Sequence, residues 1–473
     1  MRDNKFSRRH LIGTGLGAAA TAAFVSAAGV NIAEAAGAGD AGSTATPFQV
    51  NDAEIFAASL ENAYSFLDLM MDAYAQGSTI RLVQSSSDQG GLPGVGSTIH
   101  ATFLINAYLL RGSGQDFARA QILGNSLLYA QLHDLNFTDG RLRQFYAVDK
   151  PDANGAFITP LSFLNGSITG DQAWAGMALA QLYNSTGVSS YLNGAIRLGK
   201  WIVTNTFDTR GAGGYTTGAD AANSPFLNKQ TEYNIDAFAL FVMLAHLTGD
   251  VTWADRAEHA RNFVNAMFNG AGGFFWTGTG TDGITINQSN IPELPQTWSF
   301  LAFLDRSHAV SLDWDKTNLA TTDTPQTINS SLKGNIRIYG STFADASLRA
   351  LTPAQFGGPG DPNAVWLEAN GHLAAALLAR MLPPAFDLDG FHGDLDTARM
   401  LLDNMRVAQD DLGKGQTVGG KAIPDGQGIV SASSVLNTGL GFTFNPFREL
   451  GATTWYAIAR QAGNPFQVGL RAG

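Results

Sequence analysis

Cysteine is absent from this chain of 473 residues. The absence excludes disulfide bonds, thiolate metal sites and a cysteine nucleophile, so any catalysis must use carboxylates, histidine, tyrosine, serine or lysine. Positive charge is also scarce, because 29 Lys and Arg stand against 40 Asp and Glu and the formal net charge is -11. We therefore expect no nucleic-acid partner and no attraction to anionic lipid.

Several motifs of known chemistry are missing as well. The histidines show neither His-x-x-x-His nor His-Glu-x-x-His spacing, which predicts no metal site and no cofactor, although a His/carboxylate site could still assemble from distant positions. No Gly-rich phosphate loop, dinucleotide fingerprint or Gly-x-Ser-x-Gly elbow follows a strand-like run. Nucleotide chemistry and serine hydrolysis therefore find no support.

Residues 1–35 have the composition of an export signal. Arg8 and Arg9 precede a mildly apolar, Gly/Ala-rich run over 13–30, and Ala33-Glu34-Ala35 follows as a small-x-small cleavage site. This order resembles a twin-arginine signal cleaved near Ala35. The run is too weakly apolar for a stable membrane anchor. We expect the twin-arginine export machinery as a partner and a periplasmic or secreted location.

The rest of the chain predicts helices. Residues 36–50 are rich in Gly, Ala, Ser and Thr and predict a flexible leader. From 51 to 473 apolar residues recur at i, i+3, i+4 and i+7, which predicts about twelve helices in a single all-α domain, among them helices over Pro295–Ser307, Asn363–Met381 and Phe447–Ala462. Short loops, such as those at 185–188 and 248–251, place successive helices antiparallel.

Short motifs repeat along the chain. Gly211–Tyr215 and Gly270–Phe274 share the pattern Gly-Ala-Gly-Gly-aromatic at a spacing of 59 residues. Gln172-Ala-Trp174 and Gln296-Thr-Trp298 lie 124 residues apart, about twice that spacing. A fixed period predicts a repeated unit, here a helical hairpin. Six hairpins in a closed double ring, with the opening helix of each pair inside, fill the chain; an open solenoid or a pair of bundles is the alternative.

The motifs over residues 165–300 carry a family resemblance. Gln230–Phe238 (QTEYNIDAF), Thr248-Gly-Asp250, the charged helix Trp253–Arg261 and Gly273–Gly278 (GFFWTG) resemble bacterial members of the six-hairpin glycosidase superfamily. The resemblance implies an (α/α)6 toroid and a carbohydrate-active role. It names no substrate, because one fold hosts many chemistries.

Acidic and polar groups recur near the predicted starts of inner helices, where they would share one cup: His100, Asp171, Glu232, Glu293, Glu368 and Glu449. Any single acid could simply cap its helix or complement the helix dipole. Glu232 and Asp236 lie four residues apart and share a helix face, with Cβ atoms about 6 Å apart. Two such carboxyls push their pKa values apart, which makes one a proton donor.

These residues predict a glycoside hydrolase that acts on a poly- or oligosaccharide. We assign Glu232 as general acid, Asp171 as base or water-positioning residue and Asp236 as the group that tunes Glu232. Glu368, with His372 one turn further on the same face, is the reserve pair. Inverting enzymes need carboxyls about 6.5–9.5 Å apart and retaining enzymes about 5–5.5 Å, and the sequence does not distinguish them.

Aromatic and amide side chains are the candidates for sugar binding. Trp276 and Trp366 are the favoured stacking platforms, whereas Trp174 and Trp298 fit packing between the helix rings at least as well. The remaining candidate binding residues are Tyr233, Asn234, Gln172, Glu368, His372 and His100.

Two other functions stay open. A polysaccharide lyase on the same fold would remove a proton with His100, Tyr233 or His372. A non-catalytic glycan-binding envelope protein would use the carboxylates only as helix caps.

Overall fold

The computed structural model describes residues 48–157, 165–354, 358–382 and 391–470. The predicted signal (1–35) and positions 36–47 of the predicted leader lie outside these residues, while 48–50 belong to the first helix. Among the described helices, none is long and apolar enough to span a membrane.

Twelve α-helices form the described chain. In chain order they are α1 (Phe48–Met71), α2 (Thr98–Arg111), α3 (Gly114–Leu132), α4 (Thr169–Thr186), α5 (Ser189–Thr206), α6 (Thr231–Thr248), α7 (Thr252–Ala266), α8 (Leu294–Phe303), α9 (Val310–Asn318), α10 (Leu367–Arg380), α11 (Phe391–Asp411) and α12 (Leu450–Arg460).

Short antiparallel strands decorate the long connections. The pairs are β1 (Val95–Ser97) with β2 (Phe145–Ala147), β4 (Gly218–Ala219) between β3 (Ser167–Ile168) and β5 (Pro225–Phe226), β6 (Phe268–Asn269) with β7 (Phe274–Phe275), β8 (Gly278–Thr279) with β9 (Ile286–Asn287), β10 (Ala320–Asp323) with β11 (Ile338–Ser341), β12 (Thr417–Val418) with β13 (Lys421–Ala422), β14 (Ile429–Val430) with β17 (Arg448–Glu449), and β15 (Leu436–Asn437) with β16 (Thr443–Phe444).

The even-numbered helices form a closed inner ring. Each packs against the next, from α2 through α4, α6, α8 and α10 to α12, and α12 packs back against α2. Helices α3, α5, α7, α9 and α11 each pack outside the inner helix that precedes them, and α1 packs outside α12. The predicted (α/α)6 toroid is confirmed, with one feature of its own, because the first helix completes the sixth hairpin.

Short turns join each inner helix to its outer partner at one end of the ring. Gly112, Gly187 and Gly249 end α2, α4 and α6 with φ near +70° in each case. This left-handed conformation is open to glycine at little cost, so it stops a helix cleanly. The long, strand-bearing connections consequently all gather at the opposite end, where the inner helices begin.

Several helices differ in extent from the apolar periodicity, and for three of them the structure shows the cause. The helix predicted over Pro295–Ser307 ends at Phe303, because Leu304 takes a left-handed conformation. The helix predicted from Asn363 begins at Leu367, because Trp366 pairs with Ala432 in a β-bridge. The helix predicted from Phe447 begins at Leu450, because β17 precedes it.

The C-terminal segment closes the centre of the ring. The Asn464 and Gln467 side chains donate hydrogen bonds to the Leu301 carbonyl at the end of α8, and Gln181 near the end of α4 donates to the Gln467 carbonyl. Phe466, which is 1% exposed, packs on Trp174 and Trp298. The open end of the ring is therefore the end at which the inner helices begin.

Candidate active site

Amide side chains near the starts of four inner helices bind the backbone of the preceding connections. In each case the amide oxygen accepts from a backbone N–H and the amide nitrogen donates to a carbonyl. The pairs are Gln172 with Leu142, Asn234 with Tyr215, Gln296 with Phe275, and Asn370 with Ser341 and Tyr339. We call these four side chains the amide clamps.

The clamps explain the repeated Gln-x-Trp motif. Gln172 and Gln296 hold loops, so the sugar-binding role predicted for Gln172 does not fit the structure, and the same holds for Asn234. Buried amides whose donors and acceptors are already paired have little capacity left for a ligand. The clamps fix the long connections against the rim of the ring.

Two residues after each clamp lies a side chain that points towards the middle of the ring. We call these side chains the central layer: Trp174, Asp236, Trp298 and His372. Trp455, two residues after the equivalent Thr453 of α12, completes the layer. Trp174 and Trp298 have centroids 5.9 Å apart although α6 lies between their helices. They therefore meet at the ring axis. His372 lies 5.5 Å from Trp298 and 3.9 Å from Trp455.

Carboxyl groups lie one helical turn above this layer. Glu232 and Glu368 each stand four residues before a central-layer side chain, Asp236 and His372 respectively. Glu293 links Glu232 to Glu368 electrostatically, because its charge raises the pKa of both residues. Glu449 extends the series, since its charge also acts on Glu368. The carboxyls predicted from helix starts thus form one electrostatically linked row.

Burial shapes the titration of the row. Burial, and then the charge of Glu293, raise the pKa of Glu232 to about 8. Burial raises the pKa of Glu368 to about 7, with His372 opposing the shift, and raises that of Glu449 to about 7. Burial raises the pKa of Glu293 well above its ordinary value. At neutral pH Glu232 is therefore mostly protonated, as a proton donor must be.

Asp171 and Asp236 are more deeply buried than Glu232, each with 1% exposure against 7%. Burial raises the pKa of both well above the ordinary value, and the charge of Glu232 adds to the shift of Asp236. Burial disfavours the ionised form that the catalytic base predicted at Asp171 would need, so this environment does not support that role. Burial and the charge of Glu293 raise the pKa of Glu232, so the tuning of Glu232 by Asp236 stays a prediction.

Three side chains from neighbouring inner helices meet beside the row. His100, Glu368 and Glu449 each offer one ligand atom, and these atoms lie within 4.8 Å of one another. Burial lowers the pKa of His100 to about 3, so its imidazole is neutral. We call these three residues the His/Glu cluster. Two of them are among the sequence candidates, whereas Glu449 was noted only as a helix-start acid.

A cleft of about 160 Å³ opens above the His/Glu cluster. His100 and Glu449 lie at its base. Its walls carry four phenylalanine rings and several hydroxyl and amide groups: Phe145, Phe442, Phe444, Phe447, Ser85, Ser86, Ser97, Ser431, Thr443 and Asn445. Apolar ring faces beside hydrogen-bonding groups suit a sugar, which has both kinds of surface. Sequence patterning missed these phenylalanines, because nothing local distinguishes them from core residues.

Buried polar atoms without a hydrogen-bond partner among the described residues concentrate in this region. They include Asp171 Oδ2, both carboxyl oxygens of Asp236 and of Glu368, His100 Nδ1, His372 Nε2, Glu449 Oε2, and the indole nitrogens of Trp174, Trp298 and Trp455. Native proteins pair the large majority of such atoms, so a cluster of exceptions marks a place built for water, ions or ligands.

The predicted aromatic platforms lie elsewhere. Trp366 is fully buried and stacks on Phe444 with centroids 5.2 Å apart, so the prediction of an exposed platform is wrong for this residue. Trp276 is half-buried against Phe274. Trp174 and Trp298 form the central layer instead of a sugar subsite. Tyr233 is 2% exposed, and the charges of three nearby carboxylates add to the burial that raises its pKa.

Solved structures with this architecture include sugar-processing proteins. A D-mannose isomerase matches with a TM-score of 0.58 and 12% identity over 89% of this chain and 98% of that one. A sugar epimerase from a ruminal bacterium matches with a TM-score of 0.56 and 11% identity over 86% and 98%.

A family 76 glycoside hydrolase from a bovine Bacteroides thetaiotaomicron strain matches with a TM-score of 0.51 and 12% identity over 85% of this chain and 77% of that one. No family model matches the sequence, and no curated protein matches it. At such low identity these likenesses establish the fold alone: the chain is an (α/α)6 toroid like those of the isomerase, the epimerase and the hydrolase.

Proposed function

We propose that the protein is a carbohydrate-active enzyme that hydrolyses glycosidic bonds at the open end of the toroid. The observation that carries the proposal is the row of linked carboxyls from Glu232 through Glu293 and Glu368 to Glu449, beside an aromatic-lined cleft. Glycoside hydrolysis needs one protonated and one ionised carboxyl near the same bond. A row with pKa values spread around neutrality offers both.

Glu232 is the proton donor in this proposal. It is the carboxyl of α6 that keeps some exposure, and it holds its proton at neutral pH. Protonation of the glycosidic oxygen lets the leaving sugar depart as an alcohol, and a water molecule then bonds to the anomeric carbon and gives up a proton to an ionised carboxylate. Glu293 helps to keep Glu232 protonated, because its charge adds to the burial that raises the pKa of Glu232.

Glu368 and Glu449 form the second carboxyl pair of the proposed site, which we call the anionic wall because their pKa values of about 7 lie below the value of about 8 for Glu232. The positive charge that develops on the sugar ring in the transition state would be stabilised by an ionised carboxylate of this pair. The wall replaces Asp171 as the second carboxyl of the hypothesis. The phenylalanine rings above it would hold the sugar that lies next to the cleaved bond.

Product analysis tests the hydrolase. The purified full chain is incubated with a panel of plant and bacterial glycans, and new reducing ends are measured alongside Glu232→Gln, which keeps the shape and removes the proton. We expect the rate to fall by about 10²-fold or more in Glu232→Gln. Glu258→Gln, at an acid that is 61% exposed on the outer helix α7, is the matched control and should act like the parent. Equal rates for Glu232→Gln and the parent would overturn the assignment.

A sugar epimerase or isomerase is the second candidate. The observation that favours it is the neutral imidazole of His100 at the base of the cleft, which could take a proton from the carbon beside a sugar carbonyl. The D-mannose isomerase and the sugar epimerase described above share this fold. Epimerisation in D2O would place deuterium on carbon without producing new reducing ends. Hydrolysis would produce new reducing ends without placing deuterium on carbon.

Export is the other part of the proposal and is supported by the sequence of residues 1–35 alone. The test is the location of the chain in a bacterium with an intact twin-arginine pathway. Replacement of Arg8 and Arg9 by lysine should leave the protein in the cytoplasm. Unchanged export of that variant would exclude this route.

A further inference from the structure

The His/Glu cluster joins three consecutive elements of the inner ring. His100 lies in the first turn of α2, Glu368 in the first turn of α10, and Glu449 immediately before α12. Helix α12 packs between α10 and α2, so the three side chains converge from three sides. One nitrogen and two carboxylate oxygens within 4.8 Å of one another make a donor set for a divalent cation.

The donors of the cluster have few competing partners. Both oxygens of Glu368 and Oε2 of Glu449 form no hydrogen bond with the described residues. Glu368 is fully buried and His100 is 6% exposed. Two carboxylates this close, one of them fully buried, are costly unless a cation or a proton lies between them. His372 Nε2, at 3.5 Å from Glu368 Oε1, approaches only one side of the pair.

Gly451 keeps space open inside the cluster. A Cβ atom at this position would lie 2.1 Å from Glu368 Oε2 and 3.2 Å from His100 Nε2. Any other residue would therefore occupy the volume that the two ligand atoms face. The cleft above the cluster leaves a side open to solvent, through which an ion could enter and on which further oxygen ligands could bind.

We propose that His100, Glu368 and Glu449 bind one divalent cation of the zinc or manganese class. An imidazole with two carboxylates suits such ions, whereas magnesium and calcium prefer oxygen ligands alone. Three protein ligands and an open side leave room for water or for two neighbouring sugar hydroxyls. The site was invisible to spacing motifs, because its members come from three distant helices.

The ion also bears on catalysis, and this consequence rests on the proposed function. The anionic wall that would stabilise a positively charged sugar ring is the wall that binds the cation. An ion with two positive charges at that place would repel the transition-state charge. Zinc should therefore inhibit hydrolysis, and a chelator should restore it.

Calorimetric titration tests binding without any substrate. The tag-free full chain is stripped with a chelator, dialysed and titrated with ZnCl2, then with MnCl2 and CaCl2. We expect one zinc ion per chain and weaker or absent calcium binding. Glu449→Gln and His100→Gln should each weaken zinc at least about tenfold, the loss that follows even from removing an outer-shell partner. Glu258→Gln should bind like the parent.

Gly451→Ala provides a second variant that removes no ligand. Its methyl group should abolish zinc binding while the helical circular-dichroism signal stays that of the parent. Parent chain that binds no zinc at millimolar concentration, or zinc binding that survives Glu449→Gln and His100→Gln, would overturn the site. Zinc binding without glycan cleavage would leave the site standing and count against the hydrolase. Glycan cleavage by a chain that binds no zinc would overturn the site and leave the hydrolase standing.

Discussion

The Nδ1 atom of His372 lies 2.9 Å from the Oε2 atom of Glu293, and both side chains are fully buried. The Thr297 hydroxyl donates to the other oxygen of Glu293 at 2.8 Å. Glu293 therefore ties the central layer to the carboxyl row, and it lies where the inner helices α8 and α10 face each other.

Removal of the Glu293 carboxyl should destabilise the fold more than removal of its charge. Glu293→Ala leaves His372 and Thr297 without a partner, at a cost of about 1–3 kcal/mol for each unpaired buried group. Glu293→Gln keeps the shape of the side chain and one acceptor oxygen, so it should cost less. Urea denaturation of the two variants measures the difference. Equal losses would show that packing, not hydrogen bonding, dominates at this position.

Stability should fall as pH rises from about 4 towards about 8. Among the described residues, the carboxyls with raised pKa values in the fold are Asp171, Glu232, Asp236, Glu293, Asp315, Asp361, Glu368 and Glu449. Their pKa values in the unfolded chain are about 4, so between the two values the unfolded chain releases protons that the folded chain retains. The stabilisation is complete below the unfolded pKa and is lost as pH passes through the folded pKa.

Thermal unfolding at pH 5 and at pH 8.5 checks this direction. A single raised carboxyl changes the free energy of unfolding by up to about 1.4 kcal/mol for each pH unit in its window. Glu232→Gln removes one such group and should reduce the difference between the two melting temperatures. A higher melting temperature at pH 8.5 would contradict the burial of protonated carboxyls.

The decline of activity at high pH, the alkaline limb of the pH profile, should follow the loss of the proton from Glu232. Because the proton donor has a pKa of about 8 in the free enzyme, kcat/KM should decline as pH rises through that value. A rate–pH profile on any glycan that the protein cleaves measures the limb. Glu293→Gln removes the charge that adds to the raised pKa of Glu232 and should lower that pKa, so the limb should move to lower pH. A limb that stays in place would mean that another group donates the proton.

The amide clamps should matter for stability and not through contact with sugar. Gln296→Ala leaves the N–H and the carbonyl of Phe275 unpaired in a buried place, which costs about 1–3 kcal/mol for each group. Asn262→Ala, on the exposed side of α7, is the control and should stay within about 0.5 kcal/mol. Chemical denaturation compares the two. A Gln296→Ala variant as stable as the control would contradict the clamp.

The packing of Phe466 against Trp174 and Trp298 should contribute strongly to stability. Phe466→Ala would leave a cavity below Trp174 and Trp298, and such changes cost about 3–5 kcal/mol. Phe207→Ala, at a ring that is 42% exposed, should cost much less. Melting temperatures of both variants test the comparison. Similar melting temperatures would mean that the C-terminal segment packs only loosely against the ring.

The fold could be predicted because its determinants are local. Apolar periodicity marked the helices, and the repeated Gln-x-Trp motif marked equivalent places in two hairpins. The roles of those residues could not be predicted, because Gln172 and Trp174 acquire them from partners elsewhere in the chain. A tryptophan near a helix start has the same sequence signature whether it faces a cup or a core. Trp366 is buried only because Phe444, 78 residues later, covers it.

The candidate site divides in the same way. Helix-start acids were recognisable one by one, and Glu232, Glu368 and His372 do lie in the linked central region. The burial of each acid could not be recognised from the sequence, and burial is what separates Glu232 from the more deeply buried Asp171. The His/Glu cluster spans 349 positions from His100 to Glu449, so no spacing motif could reveal it.

The pairing of the first helix with the last affects how the protein is made. The Tyr456 hydroxyl in α12 donates to Ser59 in α1 across 397 positions of sequence, and Gln461 donates to Tyr64 across the same distance. A growing chain holds α1 long before α12 exists, so the outer face of the sixth hairpin has no inner partner until synthesis is nearly complete. Loops this long close slowly. A chain that stops before α12 would leave a gap in the circle, with the apolar sides of α1, α2 and α10 uncovered, and such a product should aggregate or be degraded.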